Sequence, residues 1–230
     1  MADVVLRCTG LVFGHGQPLC EPLDWEVHAG EIWAIAGSNG CGKTTLMRTI
    51  LGFQQPLGGR VSLSHRRSYV AQTLELRSVS VRVEDVVCMG LEERFSGFVP
   101  FYRRRFRKKL DELFQSFELE GLRKRSFHEI SPGERQRTLL AQAIARSPEI
   151  VFLDEATSAM DPRHTHDSFA NLVDNAHAAQ SAIVAISHSL HAQMDQVTHL
   201  LLIEDGKCFA GERSEIQRNH AAAFGTQEAK

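Results

Sequence analysis

The chain has 230 residues and 43% hydrophobic residues, enough for one large globular domain with its own buried core. Lys and Arg number 26 against 28 for Asp and Glu, and this formal net charge of −2 excludes a general electrostatic attraction to nucleic acid or anionic lipid. Five scattered cysteines, odd in number and without a C-x-x-C pair, argue against a disulfide framework or a zinc site and favour a reducing compartment.

No signal peptide is recognisable in the first residues, and no stretch approaches the roughly 18 consecutive apolar residues of a spanning helix. We therefore expect a soluble, cytoplasmic chain.

Short apolar runs alternate with helical patterns along the chain. The runs have the length of strands that are buried on both faces, and they cover Ile32 to Ala36, Ile150 to Leu153, Ala182 to Ile186 and Leu200 to Ile203. Helical patterns include Lys43 to Leu51 and Glu134 to Arg146. This alternation predicts an α/β fold with a largely parallel sheet, in which ligands bind beyond the carboxyl ends of the strands.

The segment from about Ser80 to His128 is helical and charged in pattern, and it predicts a helical subdomain inserted in the α/β core. Basic residues crowd together in it: Arg103, Arg104, Arg105, Arg107, Lys108 and Lys109. A solvated helix face explains such a cluster most simply, and contact with a membrane protein or lipid head groups is the alternative.

The first predicted strand leads into a motif of the form G-x-x-x-x-G-K-[ST], in the strand-to-helix context that a phosphate loop requires. Its residues are Gly37, Ser38, Asn39, Gly40, Cys41, Gly42, Lys43, Thr44 and Thr45. Glycines let successive N–H groups point inward, and the following helix adds its positive end. We expect Lys43 to reach the phosphates and the Thr44 hydroxyl to ligate magnesium.

The apolar run from Ile150 ends in Asp154 and Glu155, beside the predicted phosphate loop. Asp154 is expected to hold magnesium, and Glu155 to polarise the water that attacks the γ-phosphate. Taken alone, the pair would be better explained as a solvated strand terminus, and the nearby phosphate loop is what favours the catalytic interpretation.

Five motifs in order resemble those of the ATP-binding-cassette ATPases, over almost the whole chain. They are the phosphate loop, Tyr69-Val70-Ala71-Gln72, Ile130-Ser131-Pro132-Gly133-Glu134-Arg135-Gln136-Arg137, the run from Leu153 to Asp161, and Ile186-Ser187-His188. The third motif is the discriminating one, because phosphate loops occur in many unrelated ATPases and GTPases. The resemblance implies a phosphate-loop core over residues 1–79 and 147–230, an antiparallel β edge, and a helical subdomain over residues 80–146.

The third motif can also be interpreted from its residues. Ser131, Pro132 and Glu134 form a capping box with proline at the first helical position, so a helix is predicted to begin here and its N-terminus can bind an anion. The resemblance implies that this anion is the γ-phosphate of ATP held by a second copy, with Ser131, Gly133 and Glu134 contributed in trans. Two chains would then form a C2 dimer around two nucleotides, or a pseudo-dimer where the second chain is a related subunit.

Further roles follow from the resemblance alone. Gln72 matches the glutamine that touches magnesium and the attacking water, His188 matches the histidine that hydrogen-bonds the γ-phosphate, and Asp161 lies in the loop that crosses the dimer interface. His15 takes the place of the aromatic residue that stacks on adenine. Two alternatives stay open: Phe13 stacks on adenine instead, or His15 is only a turn residue.

We expect His164, His166 and His191 to be surface residues rather than metal ligands.

The cofactors implied are ATP and Mg²⁺. Among cassette ATPases, the chain most resembles subunits of bacterial importers for zinc, manganese, or iron and its chelates. Such a subunit lies at the inner face of the membrane, binds integral permease subunits, depends indirectly on an extracytoplasmic solute-binding protein, and binds no nucleic acid.

Two alternatives stay open. One is a cassette ATPase with a regulatory or nucleic-acid-associated role. The other is a catalytically impaired, ATP-binding structural subunit. It is suggested by Pro132, which stands where the family usually has glycine and removes an N–H from the phosphate-binding turn, and by His15, whose ring is a poorer stacking surface than tyrosine.

Overall fold

The computed structural model describes residues 3–71, 81–91, 106–154, 162–186 and 194–224, with residues 162–165 and 194 described by their backbone alone. The strands within these ranges are β1 (Val4–Val12), β2 (Leu23–His28), β3 (Ile32–Gly37), β4 (Gly58–Leu63), β5 (Arg67–Val70), β6 (Ile150–Asp154), β7 (Ala182–Ile186), β8 (His199–Glu204) and β9 (Lys207–Glu212). The helices are α1 (Lys43–Ile50), α2 (Val83–Met89), α3 (Arg107–Ser116), α4 (Pro132–Ile144), α5 (Pro162–Ala178), α6 (Arg213–Asn219) and α7 (Ala221–Phe224).

A six-stranded sheet forms the centre of the molecule, in the spatial order β5, β6, β7, β3, β8, β9. The first five strands run parallel, and β9 pairs antiparallel with β8 at one edge. Every residue of β6 and β7 is buried, as expected of central parallel strands that are packed on both faces. The predicted α/β fold with a largely parallel sheet and an antiparallel edge is confirmed.

Successive residues of the central strands belong to two different hydrophobic cores, because side chains alternate between the faces of a sheet. In β3, Ile32 and Ala34 pack with helices α2 to α5 on one face. Trp33 and Ile35 pack on the other face with α1 and with the smaller sheet. The continuous apolar run in the sequence therefore serves both cores at once.

The smaller sheet is antiparallel and has the order β2, β1, β4. Its strands alternate between buried and exposed residues, so they present one apolar face. Leu6, Trp25 and Val27 on that face share a core with Met47 and Ile50 of α1. Helix α1 and the loop that precedes it thus share one core with both sheets.

The predicted helix from Glu134 is longer at its start and shorter at its end than the sequence pattern indicated. It begins at Pro132, where the capping box predicts a start, and it ends at Ile144 rather than Arg146. The end is explained by Ser147, whose φ of 51° is left-handed, and by Pro148, which cannot donate a helical hydrogen bond.

Helices α2 and α4 approach each other closely at Gly90. A Cβ atom at Gly90 would lie 2.0 Å from the backbone oxygen of Gln142 in α4, although the φ of Gly90 is an ordinary −69°. The requirement for glycine is therefore one of space and not of backbone conformation.

We predict that Gly90→Ala lowers the free energy of unfolding by about 1–3 kcal/mol, because the added methyl group forces α2 away from α4. Urea denaturation followed by circular dichroism measures the loss. Gly121→Ala is the matched control, since no atom lies within 4 Å of its would-be Cβ. Equal stability of the two variants would contradict the close packing of α2 on α4.

Candidate functional site

The loop between β3 and α1 has a backbone that requires glycine at two points. A Cβ atom at Gly37, whose φ is 145°, would lie 2.5 Å from the backbone oxygen of Ile203. A Cβ atom at Gly42, whose φ is 108°, would lie 2.9 Å from Leu19 Cδ1 and 3.2 Å from Phe13 Cε2. The loop is thus held tightly between β8 and the segment that follows β1, and its curvature is fixed by its surroundings.

Lys43 lies at the centre of this loop. Its side chain is only 7% exposed, and its Nζ donates hydrogen bonds to the backbone oxygens of Gly37, at 2.8 Å, and Ser38, at 2.9 Å. A buried ammonium needs such partners, because its desolvation is costly. The loop carbonyls therefore hold the cation in the position where an anion in the loop would meet it.

Helix α1 begins immediately after the loop. Gly42 is its N-cap in a left-handed conformation, and among the described residues no side chain caps this end. The positive end of the helix dipole and its first amides accordingly face the loop, beside the Lys43 ammonium. This combination is an anion site of the kind that binds phosphate.

Thr44 and Asp154 meet at the carboxyl end of the sheet. Thr44 Oγ1 lies 3.4 Å from Asp154 Oδ1, and Asp154 is buried. Mg²⁺ takes oxygen ligands at 2.0–2.1 Å in octahedral geometry, so neighbouring ligands lie about 3 Å apart. A hydroxyl and a carboxylate at this separation, next to a phosphate loop, fit one magnesium ion.

Tyr69 is a contact that sequence reasoning missed. Its hydroxyl donates to Asp154 Oδ2 at 3.3 Å, and burial together with the nearby Asp154 carboxylate raises the pKa of Tyr69 to about 12. The sequence placed Tyr69 in a motif but assigned it no role. Predicting this contact would have required the strand register, which pairs Tyr69 with Phe152, two residues before Asp154. The sequence alone does not contain that register.

The capping box at the start of α4 is confirmed. Ser131 Oγ accepts from the backbone N–H of Glu134 at 3.3 Å, and the Glu134 carboxylate accepts from the backbone N–H of Ser131 at 2.7 Å. That second hydrogen bond lowers the pKa of Glu134. Because Ser131 accepts within the box, its own O–H can still donate to an outside acceptor. Pro132 occupies the first helical position, where a missing N–H costs the helix nothing.

His15 is exposed, and its Nε2 lies 3.2 Å from the Thr45 hydroxyl at the start of α1. The structure thus brings His15 next to the phosphate loop. Phe13, proposed from the sequence as an alternative platform for adenine, is fully buried behind Gly42, and that suggestion is wrong. The aromatic ring fills the core, where no base can reach it.

Four residues with expected roles lie outside the described part of the chain: Gln72, Glu155, Asp161 and His188. Asp154, which directly precedes Glu155, is paired in register with Ile186 on β7. The roles assigned to the four stay predictions.

Three cysteines far apart in sequence approach one another near the loop. Cys20 and Cys208 share a thiol hydrogen bond. Burial is the largest cause that raises the pKa of both thiols, and the nearby Cys41 raises both further. Spacing in the sequence gave no indication of this contact. Within the described ranges, His, Cys, Asp and Glu side chains form no group of three or more that could hold a metal ion.

A glycine-rich strand-to-helix loop with a central lysine, and a threonine beside a strand-end aspartate, define the chain as a phosphate-loop nucleotide-binding protein. A profile described as ABC transporter matches residues 20–158. The chain belongs to the ABC transporter family, and it is an ATP-binding, ATP-hydrolysing member of that family.

Three similar proteins illustrate the relationship. The zinc import ATP-binding protein ZnuC of Jannaschia sp. is 31% identical over 204 residues, which cover 87% of this chain and 79% of that protein. An ABC transporter ATP-binding protein of Methanosarcina acetivorans is 28% identical over 215 residues, and this chain spans 34% of its length. A structure described as a metal-chelate type ABC transporter in an inward-facing conformation superimposes with a TM-score of 0.83 and 28% identity, covering 96% of this chain and 89% of that one.

Among the helices of the described ranges, none is at once as long and as apolar as a membrane-spanning helix must be.

We predict that Gly42→Ala weakens equilibrium binding of a fluorescent ATP analogue about tenfold or more, because strain of about 1–3 kcal/mol is imposed on the loop that holds the phosphates. Gly30→Ala is the matched control, since Gly30 also has a positive φ, of 82°, but lies in open space in the turn before β3. If both variants bind the analogue equally well, the steric role of Gly42 is refuted.

Proposed function

We propose that this chain is the ATP-hydrolysing subunit of an ABC importer for a metal ion or a metal chelate. The observation that carries the proposal is the grouping of Lys43, Thr44 and Asp154 at the carboxyl end of the sheet, in a chain of the ABC transporter family.

Lys43 and the start of α1 bind the β- and γ-phosphates of ATP. On binding, the ammonium exchanges the carbonyl oxygens of Gly37 and Ser38 for phosphate oxygens, so its charge is satisfied in both states. Gly37 to Thr45 supply the surrounding cradle. His15 lies beside Thr45 and stacks on the adenine base.

Thr44 and Asp154, with Gln72, are the residues that would hold magnesium. Magnesium held there would neutralise negative charge that develops on the phosphate oxygens during transfer. Asp154 is buried at the end of β6, so its carboxylate is held at the site before a nucleotide arrives.

Hydrolysis requires a group that aligns the attacking water. Glu155 follows Asp154 directly in the sequence, and as a general base it accepts the proton of the water that attacks the γ-phosphorus. The bond from the γ-phosphorus to the bridging oxygen breaks, which yields ADP and phosphate. His188 donates a hydrogen bond to the γ-phosphate, and Lys43 stabilises the charge on it.

A second copy of the chain completes each site. Ser131 and Pro132 are exposed at the uncovered end of α4, and the Ser131 O–H can donate outward. In a C2 dimer, Ser131, Gly133 and Glu134 of one copy contact the ATP held by the phosphate loop of the other, and Asp161 lies at the interface. The helices between residues 80 and 146 form the subdomain that carries this end.

Permease subunits dock on a groove between β5 and helices α2 and α4. The groove has a volume of 370 Å³, and its lining includes Arg66, Arg67, Arg146 and the partly exposed Met89. Arginine and methionine are both enriched at protein–protein interfaces, so a surface that combines them is suited to binding another protein. The basic cluster is a weaker candidate, because Lys108 pairs with Glu112 and Lys109 donates to Ser147 within the chain.

The cargo class rests on the similar proteins, since zinc import and metal-chelate transport are what two of them are named for. The chain then lies at the inner face of the membrane and receives cargo only indirectly through an extracytoplasmic solute-binding protein. Co-purification of permease subunits with the chain is the direct check, and a regulatory or nucleic-acid-associated role predicts their absence.

We predict that Glu155→Gln reduces phosphate release about 100-fold or more, because the general base is lost while ATP binding is retained. The variant should also accumulate as an ATP-stabilised dimer in size-exclusion chromatography. Glu120→Gln, a change at an exposed residue outside the site, serves as the control. Turnover of Glu155→Gln at the wild-type rate would contradict the proposed mechanism.

A mixing experiment tests whether each site uses two copies. Lys43→Ala and Ser131→Arg should each be inactive alone, but a mixed dimer would carry both lesions in one site and none in the other. We predict that refolded mixtures regain about a quarter of wild-type turnover, since half of the dimers are mixed and half of their sites are intact.

The control mixture combines Lys43→Ala with Asp154→Asn. Both changes affect the phosphate-loop half, so every site of a mixed dimer carries a lesion and no activity returns. Equal recovery in the two mixtures, or none in either, would show that the start of α4 does not act in trans.

A further inference from the structure

Tyr69 belongs to β5, which lines the surface groove, and its side chain reaches the carboxyl end of the neighbouring strand β6. Its ring is partly buried, lies 5.6 Å from the ring of Phe53 between centroids, and packs against the core that the central sheet shares with α1 and the smaller sheet. Its hydroxyl donates to Asp154 Oδ2 at 3.3 Å. A residue of the strand that lines the groove is therefore in direct contact with the carboxylate expected to hold magnesium.

The strand register explains this reach. Tyr69 is paired with Phe152, and Asp154 lies two residues further along β6 on the same face. Two residues of a strand span about 7 Å, close to the length of a tyrosine side chain. A phenylalanine ring at this position would fill the same space without reaching the carboxylate.

The two oxygens of Asp154 have different partners. Oδ1 lies 3.4 Å from the Thr44 hydroxyl, on the side of the phosphate loop, and Oδ2 accepts from Tyr69. A carboxylate held through Oδ2 keeps Oδ1 turned toward Thr44. The plane of the carboxylate is thus set by a side chain that lies outside the phosphate loop.

We propose that Tyr69 is a positioning residue for magnesium binding, acting through its hydrogen bond to Asp154. The inference rests on the proposed function, because it takes Asp154 as a magnesium ligand. Groups that orient a metal ligand through a hydrogen bond commonly change metal affinity when removed. Tyr69 carries out this task from the strand that also lines the groove.

The test removes the hydroxyl and keeps the ring. Tyr69→Phe, Tyr69→Ala and wild-type full-length chain are titrated with Mn²⁺ in the presence of a non-hydrolysable ATP analogue, and free Mn²⁺ is measured by electron paramagnetic resonance. Binding of the same analogue in EDTA and the melting temperature are measured in parallel. Ser68→Ala, which removes a hydroxyl from the neighbouring position of β5, is the matched control.

We expect Tyr69→Phe to weaken Mn²⁺ binding about tenfold, with analogue binding in EDTA and the melting temperature unchanged. Ser68→Ala should match wild type. A packing role for the ring predicts instead that Tyr69→Ala is impaired and Tyr69→Phe is normal, and that result overturns the inference. A loss of stability in Tyr69→Phe equal to its loss of Mn²⁺ affinity also overturns it.

Asp154→Asn separates this inference from the proposed function. If wild type binds Mn²⁺ with the analogue, Asp154→Asn does not, and Tyr69→Phe is normal, the role of Tyr69 alone is wrong. If wild type binds no Mn²⁺ with the analogue, the magnesium site of the proposed function fails and the role of Tyr69 fails with it.

Discussion

The parallel register of the central sheet is the constraint on which the site depends. Because β5, β6, β7 and β3 run in the same direction, their carboxyl ends meet at one edge. Lys43 and Thr44 follow β3, Asp154 ends β6, and Tyr69 approaches from β5. No single segment of the sequence contains these residues, which lie 110 positions apart in the case of Thr44 and Asp154. Reversing one strand would separate the lysine from the aspartate.

The elements that could be predicted from sequence are those whose signal is local. β3, β6 and β7 are continuous apolar runs, and α4 begins with the serine, proline and glutamate of a capping box. The phosphate loop is likewise a contiguous motif. What could not be predicted depends on register or on packing between distant segments. The hydrogen bond from Tyr69 to Asp154 needs the pairing of β5 with β6, and the contact of Cys20 with Cys208 needs the turn after β1 to lie against β9.

The error over Phe13 has the same origin. An aromatic residue near the expected adenine site was a reasonable candidate by position alone. The structure turns that ring inward, where its Cε2 would lie 3.2 Å from a Cβ atom at Gly42. Phe13 therefore shapes the loop from behind instead of contacting the base. Sequence gives the order of residues along a strand, but the face that a short segment presents is decided by what packs against it.

The two helix N-termini that the proposed function assigns to phosphate differ in how their amides are satisfied. The start of α1 has no side-chain cap among the described residues, and Lys43 donates its hydrogen bonds to the loop itself. The first amides of α1 therefore need an outside anion or water as their hydrogen-bond acceptor. The start of α4 is closed by reciprocal hydrogen bonds between Ser131 and Glu134, so it is stable without any partner. In the proposed dimer, α1 of one copy would thus bind ATP tightly. The capping amides of α4 in the other copy are already satisfied, so α4 would gain less binding free energy from the phosphate. This asymmetry suits a cycle in which the two copies separate while the nucleotide stays on the phosphate loop.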